Sequence, residues 1–414
     1  MTVHSNNVGI LIHRLSSLIS LRNIAFLLLV LYPLDQLHTT IFEGSTFPSP
    51  YKFIMAAYLV FVVKLNGIKN TFASKDVLFL LLGIISLSAL SILWAHSDYA
   101  AAIKYTLQLL VLWSFTVVAV KVLSHDEDMI KSIIFYWLGV SAIVSYFTLS
   151  GVLSPSELVE GRRISFIGIG LNAMAISIGY SVVLGVAGFG LFKKQRIKQL
   201  LMIVALLISL WTLIQLGTRS VIWGLLATFL VGSLINLSVK KAVFSVIAVF
   251  AFTLAFDYIM GNNYLAGRAL ERLITFDLNV FKENTRSALW MVGLEWVTNN
   301  VFGSGAGNEI FVYETLGVTD NLESHNVVVS AFIQFGVFGG VLFVLMLAVL
   351  SVKFFKFRDP KFKLIFGAFL LFFLLQLFKG SFFQTRLFWQ PLTILLIILN
   401  HQRYRISMKS LASK

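Results

Sequence analysis

The sequence predicts an all-α polytopic integral membrane protein of about twelve transmembrane helices, with one large outer loop containing short helices. Three observations carry that expectation. Of 414 residues, 58% are hydrophobic, 13% are charged and 38 are Phe, whereas a water-soluble domain carries roughly 25% charged residues. Apolar runs long enough to cross a ~30 Å hydrocarbon core as helices recur along the chain. Basic residues gather in alternate short loops, as orientation by the positive-inside rule requires.

Taken in order, the runs lie near 23–42, 51–66, 76–95, 100–121, 129–150, 168–192, 199–216, 220–238, 242–260, 326–350, 362–383 and 385–400. The second and the last are short. Residues 1–22 are polar and weakly basic (His13, Arg14, Arg22), and Pro33 and Asp35 interrupt the first apolar run, so no cleavable signal peptide is expected. No internal repeat or low-complexity linker divides the chain. The expectation is a single membrane domain over 1–414, with 261–325 as a loop subregion between spans nine and ten. Cysteine is absent, which excludes disulfides and thiolate metal sites.

A net charge of +14 invites a nucleic-acid role, but its distribution argues against one. With twelve spans and a cytoplasmic N-terminus, the clusters Lys64/Lys69/Lys75, Lys193/Lys194/Arg196/Lys198, Lys240/Lys241, Lys353 to Lys363 and Arg403 to Lys414 all fall inside. About 22 of the 33 Lys and Arg then lie inside, with both termini cytoplasmic. The charge orients the protein and meets anionic membrane lipids; no nucleic-acid partner is expected.

Three outer segments remain: 151–167, the short turn Gly217-Thr218-Arg219-Ser220, and the long loop 261–325. Within the long loop, 286–300 is amphipathic at helical spacing. Leu289, Val292, Trp296 and Val297 share a face, Thr285 is positioned to cap, and Gly303-Ser304-Gly305-Ala306-Gly307 reads as a flexible turn. Such helices would lie on the membrane as a lid or vestibule.

Arg219 has two readings. One is an interfacial arginine snorkelling to headgroups; the other is a bidentate phosphate ligand in an outward cavity. Arg286 opens the amphipathic helix, where the macrodipole disfavours a cation. Either an anion lies between it and the helix N–H groups, or it pairs with Glu283 on the surface. His325, between Ser324 and Asn326, either caps span ten or takes a proton from a sugar hydroxyl, oriented by Glu323 or Asp320. Arg162 and Arg163 either bind phosphate or headgroup, or pair with Glu157 and Glu160.

No metal and no cofactor are expected. The first outer loop, EGSTFPSP, has one carboxylate, and the lone Asp-x-Asp, at Asp126 to Asp128, falls on the cytoplasmic side as a solvated turn. A secondary transporter or a flippase of a lipid-linked substrate would explain the spans without catalysis. It would also carry charge within many spans and broken helices, whereas Asp35 is the one clear intramembrane carboxylate.

The order of motifs resembles the O-antigen ligase and polymerase family. The pieces are GTRS at 217–220, NTRSALW at 284–290, GSGAG at 303–307 and ESHNVVVSAFIQFGVFGG at 323–340; GRRISFIGIGLNAMA at 161–175 is similar to an Arg-rich turn before an Asn-containing span. The resemblance implies a metal-independent, inverting glycosyltransferase of the bacterial inner membrane with its active site on the periplasmic face. The implied donor is an O-antigen glycan on undecaprenyl pyrophosphate, and the implied acceptor is lipid A–core for a ligase or a second lipid-linked repeat for a polymerase. Arg219 and Arg286 would then neutralise the pyrophosphate, and His325 would activate or position the acceptor hydroxyl. Chain length and the late, dominant outer loop favour ligase.

Overall fold

A computed structural model describes residues 21–31, 74–95, 98–150, 155–159, 163–166, 171–216, 218–235, 285–318, 324–380, 383 and 385–412. The helices are α1 (Leu21–Val30), α2 (Lys75–Leu90), α3 (Tyr99–Leu123), α4 (Glu127–Leu149), α5 (Leu171–Gly188), α6 (Arg196–Leu216), α7 (Arg219–Ile235), α8 (Thr285–Asn299), α9 (Glu309–Thr315), α10 (Val327–Phe355), α11 (Pro360–Gln376) and α12 (Arg386–Ala412). 3₁₀ turns at Ser91–Trp94 and Phe189–Phe192 extend α2 and α5.

Among the described residues, six helices are long and apolar enough to cross a membrane: 75–94, 99–123, 127–149, 172–192, 196–216 and 327–355. A shorter apolar helix covers Ser220–Gly232. The expected spans at 51–66 and 242–260, Asp35, and residues 261–284 of the long loop lie outside the described residues.

Local chemistry sets the boundaries. Asp98 caps α3, its carboxylate accepting from the Ala101 N–H at 2.8 Å. Asp359 caps α11 ahead of Pro360, whose missing N–H costs nothing in a first turn. Asp126 caps α4 and pairs with Arg22 at 2.7 Å, while Glu127 and Asp128 pair with Lys131. The acidic triplet is therefore a helix start with ionic partners, not the solvated turn expected from the sequence. The Arg22 guanidinium holds the Asp126 carboxyl below its ordinary range.

Lys353–Asp76 and Arg405 with Glu127 and Asp359 join the same end of the bundle. The starts of α1, α2 and α4 and the far end of α10 thus lie together, as alternating spans demand. The core between the ends is aromatic. Phe366, Phe369, Phe372 and Phe373 of α11 are fully buried, with Tyr180 of α5 and Phe388 and Trp389 of α12 around them. Hydroxyl pairs bridge helices in this apolar setting, at Ser88–Thr106 (2.7 Å) and Thr116–Thr393 (2.9 Å).

Two features depart from the expected regular helices. First, Pro155–Val159 and Arg163–Phe166 form an antiparallel two-stranded hairpin, β1 and β2, with Leu158 opposite Ile164 and Val159 opposite Arg163. The all-α class holds, with this short hairpin added to it. β2 touches α6.

Second, α10 breaks at Gly336 (φ 68°, ψ −167°). The Val337 N–H leaves the helical ladder and donates to the Val301 carbonyl at 2.9 Å. The released carbonyls of Ile333 and Gln334 accept from the Ser304 and Gly305 N–H groups at 2.8 and 3.1 Å. The GSGAG segment, expected to be a flexible turn, is instead hydrogen-bonded into a helix break, and its own glycine φ values of 75–95° allow the close approach. Ala306 N–H also donates to Ser91 Oγ at 3.0 Å, and Asp98 N–H to Asn308 Oδ1 at 3.2 Å. These contacts fix the turn to the ends of α2 and α3 opposite the ionic end.

A methyl group at Gly336 would meet the Phe302 carbonyl carbon at 2.6 Å. The backbone strain of a side chain at this φ/ψ is about 1–3 kcal/mol before any clash. Gly336→Ala is therefore expected to lower the thermal unfolding temperature of the purified protein by several degrees. Gly139→Ala, where no atom lies within 4 Å of the added methyl, is expected to leave it unchanged or slightly higher.

Candidate active site

The Ser324-His325-Asn326 junction stands at the start of α10. Asn326 caps that helix, its Oδ1 accepting from the N–H groups of Val328 (2.9 Å) and Val329 (3.3 Å). The capping role that one reading gave to His325 therefore belongs to Asn326. His325 is half-buried and has φ 51°, the one non-glycine positive φ among the described residues. A residue held in this region marks a backbone determined by its surroundings.

Several bonds do the holding. The Trp290 Nε1–H donates to the Ser324 carbonyl at 2.7 Å, and the Ser324 N–H donates to Glu309 Oε1 at 2.8 Å. On the other side, the Val327 N–H donates to the Leu377 carbonyl at 2.8 Å, beyond the end of α11. The Trp290 and Phe378 rings lie 6.5 Å apart.

These contacts collect helix starts. Trp290 is four residues after Arg286, one turn along the same face of α8. The expected amphipathic face is real: Leu289 and Val297 are buried with Val312 and Tyr313 of α9 and Val329 and Ile333 of α10. Met291, on the other side, is 73% exposed. The helix is thus packed on α10 rather than merely laid on a membrane. Thr285 is its first helical residue, so a cap would fall at residue 284, outside the described residues. α7 reaches the same place through α11. The backbone at Gly224 lies against Gln376 Nε2, and Arg219 opens α7 about 7.5 Å further along its axis.

The backbone positions of Arg219 and Arg286 are thus the first residue of α7 and the second of α8, with α11 and the His325 junction between their helices. Their side chains, Arg162, Glu283, Asp320 and Glu323 lie outside the described residues. Arg163 is the first residue of β2 and pairs by register with Val159.

Residues 204–344, about a third of the chain, match the family model described as O-antigen ligase. Over that segment the chain is similar to the O-antigen ligase family. No curated protein matches the chain. The O-antigen ligase family match runs from within α6 to within α10, and so contains Arg219, Arg286, the glycine turn and His325. The similarity lies within a chain whose described residues include six helices long and apolar enough to cross a membrane.

Two contributors to this candidate site escaped sequence reasoning. Trp290 reads as an interfacial aromatic, and nothing in its spacing announces a bond to Ser324. Glu309 reads as one acidic residue among many, yet it is only 5% exposed. The adjacent Tyr313 hydroxyl donates to the Leu289 carbonyl at 3.1 Å, and burial, with the Glu309 charge, pushes its pKa upward. That phenol remains a neutral donor at physiological pH.

Proposed function

We propose that the protein transfers O-antigen glycan from undecaprenyl pyrophosphate to lipid A–core at the periplasmic face of the bacterial inner membrane. The observation that carries this reading is the left-handed His325 junction, tied to α8 by Trp290–Ser324 and to the end of α11, on which α7 packs, by Val327–Leu377. Arg219 and Arg286 bind the pyrophosphate, with Arg162 and Arg163 as further anionic-lipid contacts. His325 faces the acceptor.

In the proposed step, the acceptor hydroxyl oxygen bonds to the anomeric carbon as the bond from that carbon to the pyrophosphate oxygen breaks. The bonding pair leaves with undecaprenyl pyrophosphate, and the hydroxyl proton passes to His325. Two guanidinium groups meet the charge that develops on the leaving group. Direct displacement inverts the anomeric configuration. The left-handed backbone at His325 supports the assignment, because such strain collects where a side chain must be aimed.

The test is a reconstitution with lipid-linked glycan donor and lipid A–core, with and without EDTA. Glycosylated lipid A–core in both conditions is the expected product. Loss of transfer in chelator, restored by one divalent ion, would contradict the metal-independent step. Longer lipid-linked glycan would identify a polymerase, and donor moved across the bilayer with no new glycosidic bond a flippase.

A further inference from the structure

We propose that Glu309 is a positioning residue for the transfer step, aiming His325 by binding the backbone just before it; the proposal rests on the reading of His325 given above. Glu309 opens α9 and is buried, and a buried carboxylate is costly unless its oxygens are hydrogen-bonded. Oε1 accepts from the Ser324 N–H at 2.8 Å. Oε2 accepts from the Ser330 hydroxyl and from Gln334 Nε2, the latter at 3.3 Å. Gln334 Nε2 also reaches Ser330 Oγ at 2.7 Å, and its Oε1 accepts from the Gly307 N–H at 2.8 Å.

One carboxylate therefore ties three segments: the glycine turn through Gln334, the first turns of α10, and the junction carrying His325. The Ser324 N–H is the last backbone donor before the left-handed residue. The bond it makes fixes the 323–324 peptide, and together with the Trp290 bond to the Ser324 carbonyl in the next peptide it limits the rotations about Ser324 that set the direction of the imidazole. Asn326 and Leu377 hold the C-terminal side of His325, but on the N-terminal side the N–H of Ser324 has this acceptor and its carbonyl has Trp290. Loss of the carboxylate leaves a buried N–H and lets the histidine drift. An error of about 1 Å at a reacting group is enough to cost ~10²-fold in rate.

The proposal predicts a graded series. Glu309→Ala removes the acceptor. Glu309→Asp keeps the charge but falls one methylene short of Ser324. Glu309→Gln keeps the length and one carbonyl oxygen for the same N–H. Transfer to lipid A–core is measured at saturating donor, with kcat expressed per site titrated by undecaprenyl pyrophosphate, so that misfolded enzyme does not count. The Ala and Asp variants are expected to lose ~10²-fold in kcat with undecaprenyl pyrophosphate affinity unchanged, and the Gln variant to stay within about fivefold of wild type, one oxygen sufficing for that N–H. A residue that only stabilises the fold would lower the number of sites and leave kcat per site alone.

Wild-type kcat per site in Glu309→Asp would overturn the proposal, and Asp decides the matter if the Ala variant does not accumulate. So would a Gln variant as slow as Asp. His325→Ala is run alongside. If it transfers normally, the reading of His325 has failed; if it is inactive while Glu309→Asp is normal, the positioning role alone has failed.

Discussion

Arg219→Ala and Arg286→Ala should each abolish glycan transfer while leaving the protein inserted and folded. In the reaction proposed above a pyrophosphate is expelled, and its developing charge has to be met by the protein. Removal of a single preorganised donor to such charge costs ~10²–10³-fold in comparable systems, and here each arginine supplies a full positive charge besides. Both open a helix, α7 and α8 respectively, so peptide N–H groups stand beside each guanidinium position. Lys replacements should be impaired too, because an ammonium lacks the fixed fork that grips two phosphate oxygens at once. Transfer is read as glycosylated lipid A–core in membranes at matched expression. Near-normal product from both Ala variants would leave the arginines as headgroup contacts and remove the pyrophosphate assignment.

His325→Asn is the sharper of the two histidine substitutions and should lose transfer by roughly 10²-fold or more, the usual scale for a general base. Asparagine tolerates positive φ better than most residues, so it can accept the φ of 51° seen here and leave the junction intact. Asn326 remains to cap α10. The substitution therefore removes the imidazole and little else. Undecaprenyl pyrophosphate should still bind, since the proposal assigns the donor to Arg219 and Arg286. Wild-type transfer by His325→Asn would mean that the junction needs a shape and not a base.

Much of the helical layout was legible in the sequence because it depends on run length and on caps. The run at 100–121 appears as 99–123, that at 129–150 as 127–149 and that at 199–216 as 196–216. The face of α8 was legible for the same reason, since Leu289 and Val297 follow helical spacing. The hairpin was not, because 155–166 is short, polar and mixed, and pairing there depends on register across Gly161. Nor was the break in α10. Gly336 sits in an apolar run where glycine usually packs helices, and its φ is set by Val301, 35 residues earlier, in a loop that returns to it. Ion pairing at Asp126 and burial of Glu309 are likewise long-range outcomes. For the candidate site, the sequence yields the residue types and their order; the bonds from Trp290, Glu309 and Leu377 that fix the junction around His325 come from contacts across 15 to 50 positions, which no local pattern encodes.

The exchange of partners at Gly336 has a mechanical consequence. Glycine-rich runs often serve as hinges, yet here Ser304, Gly305 and Val337 share amide–carbonyl bonds that a continuous helix would have kept to itself. In a setting with little water to replace them, separating the run from α10 would strand four or more backbone groups together, each costing several kcal/mol. The segment from Val301 to Gly307 therefore behaves as a rivet and moves with the bundle. The rivet keeps α8, α9 and the junction before α10 in fixed register with one another, so any rearrangement at this end of the bundle has to come from other segments.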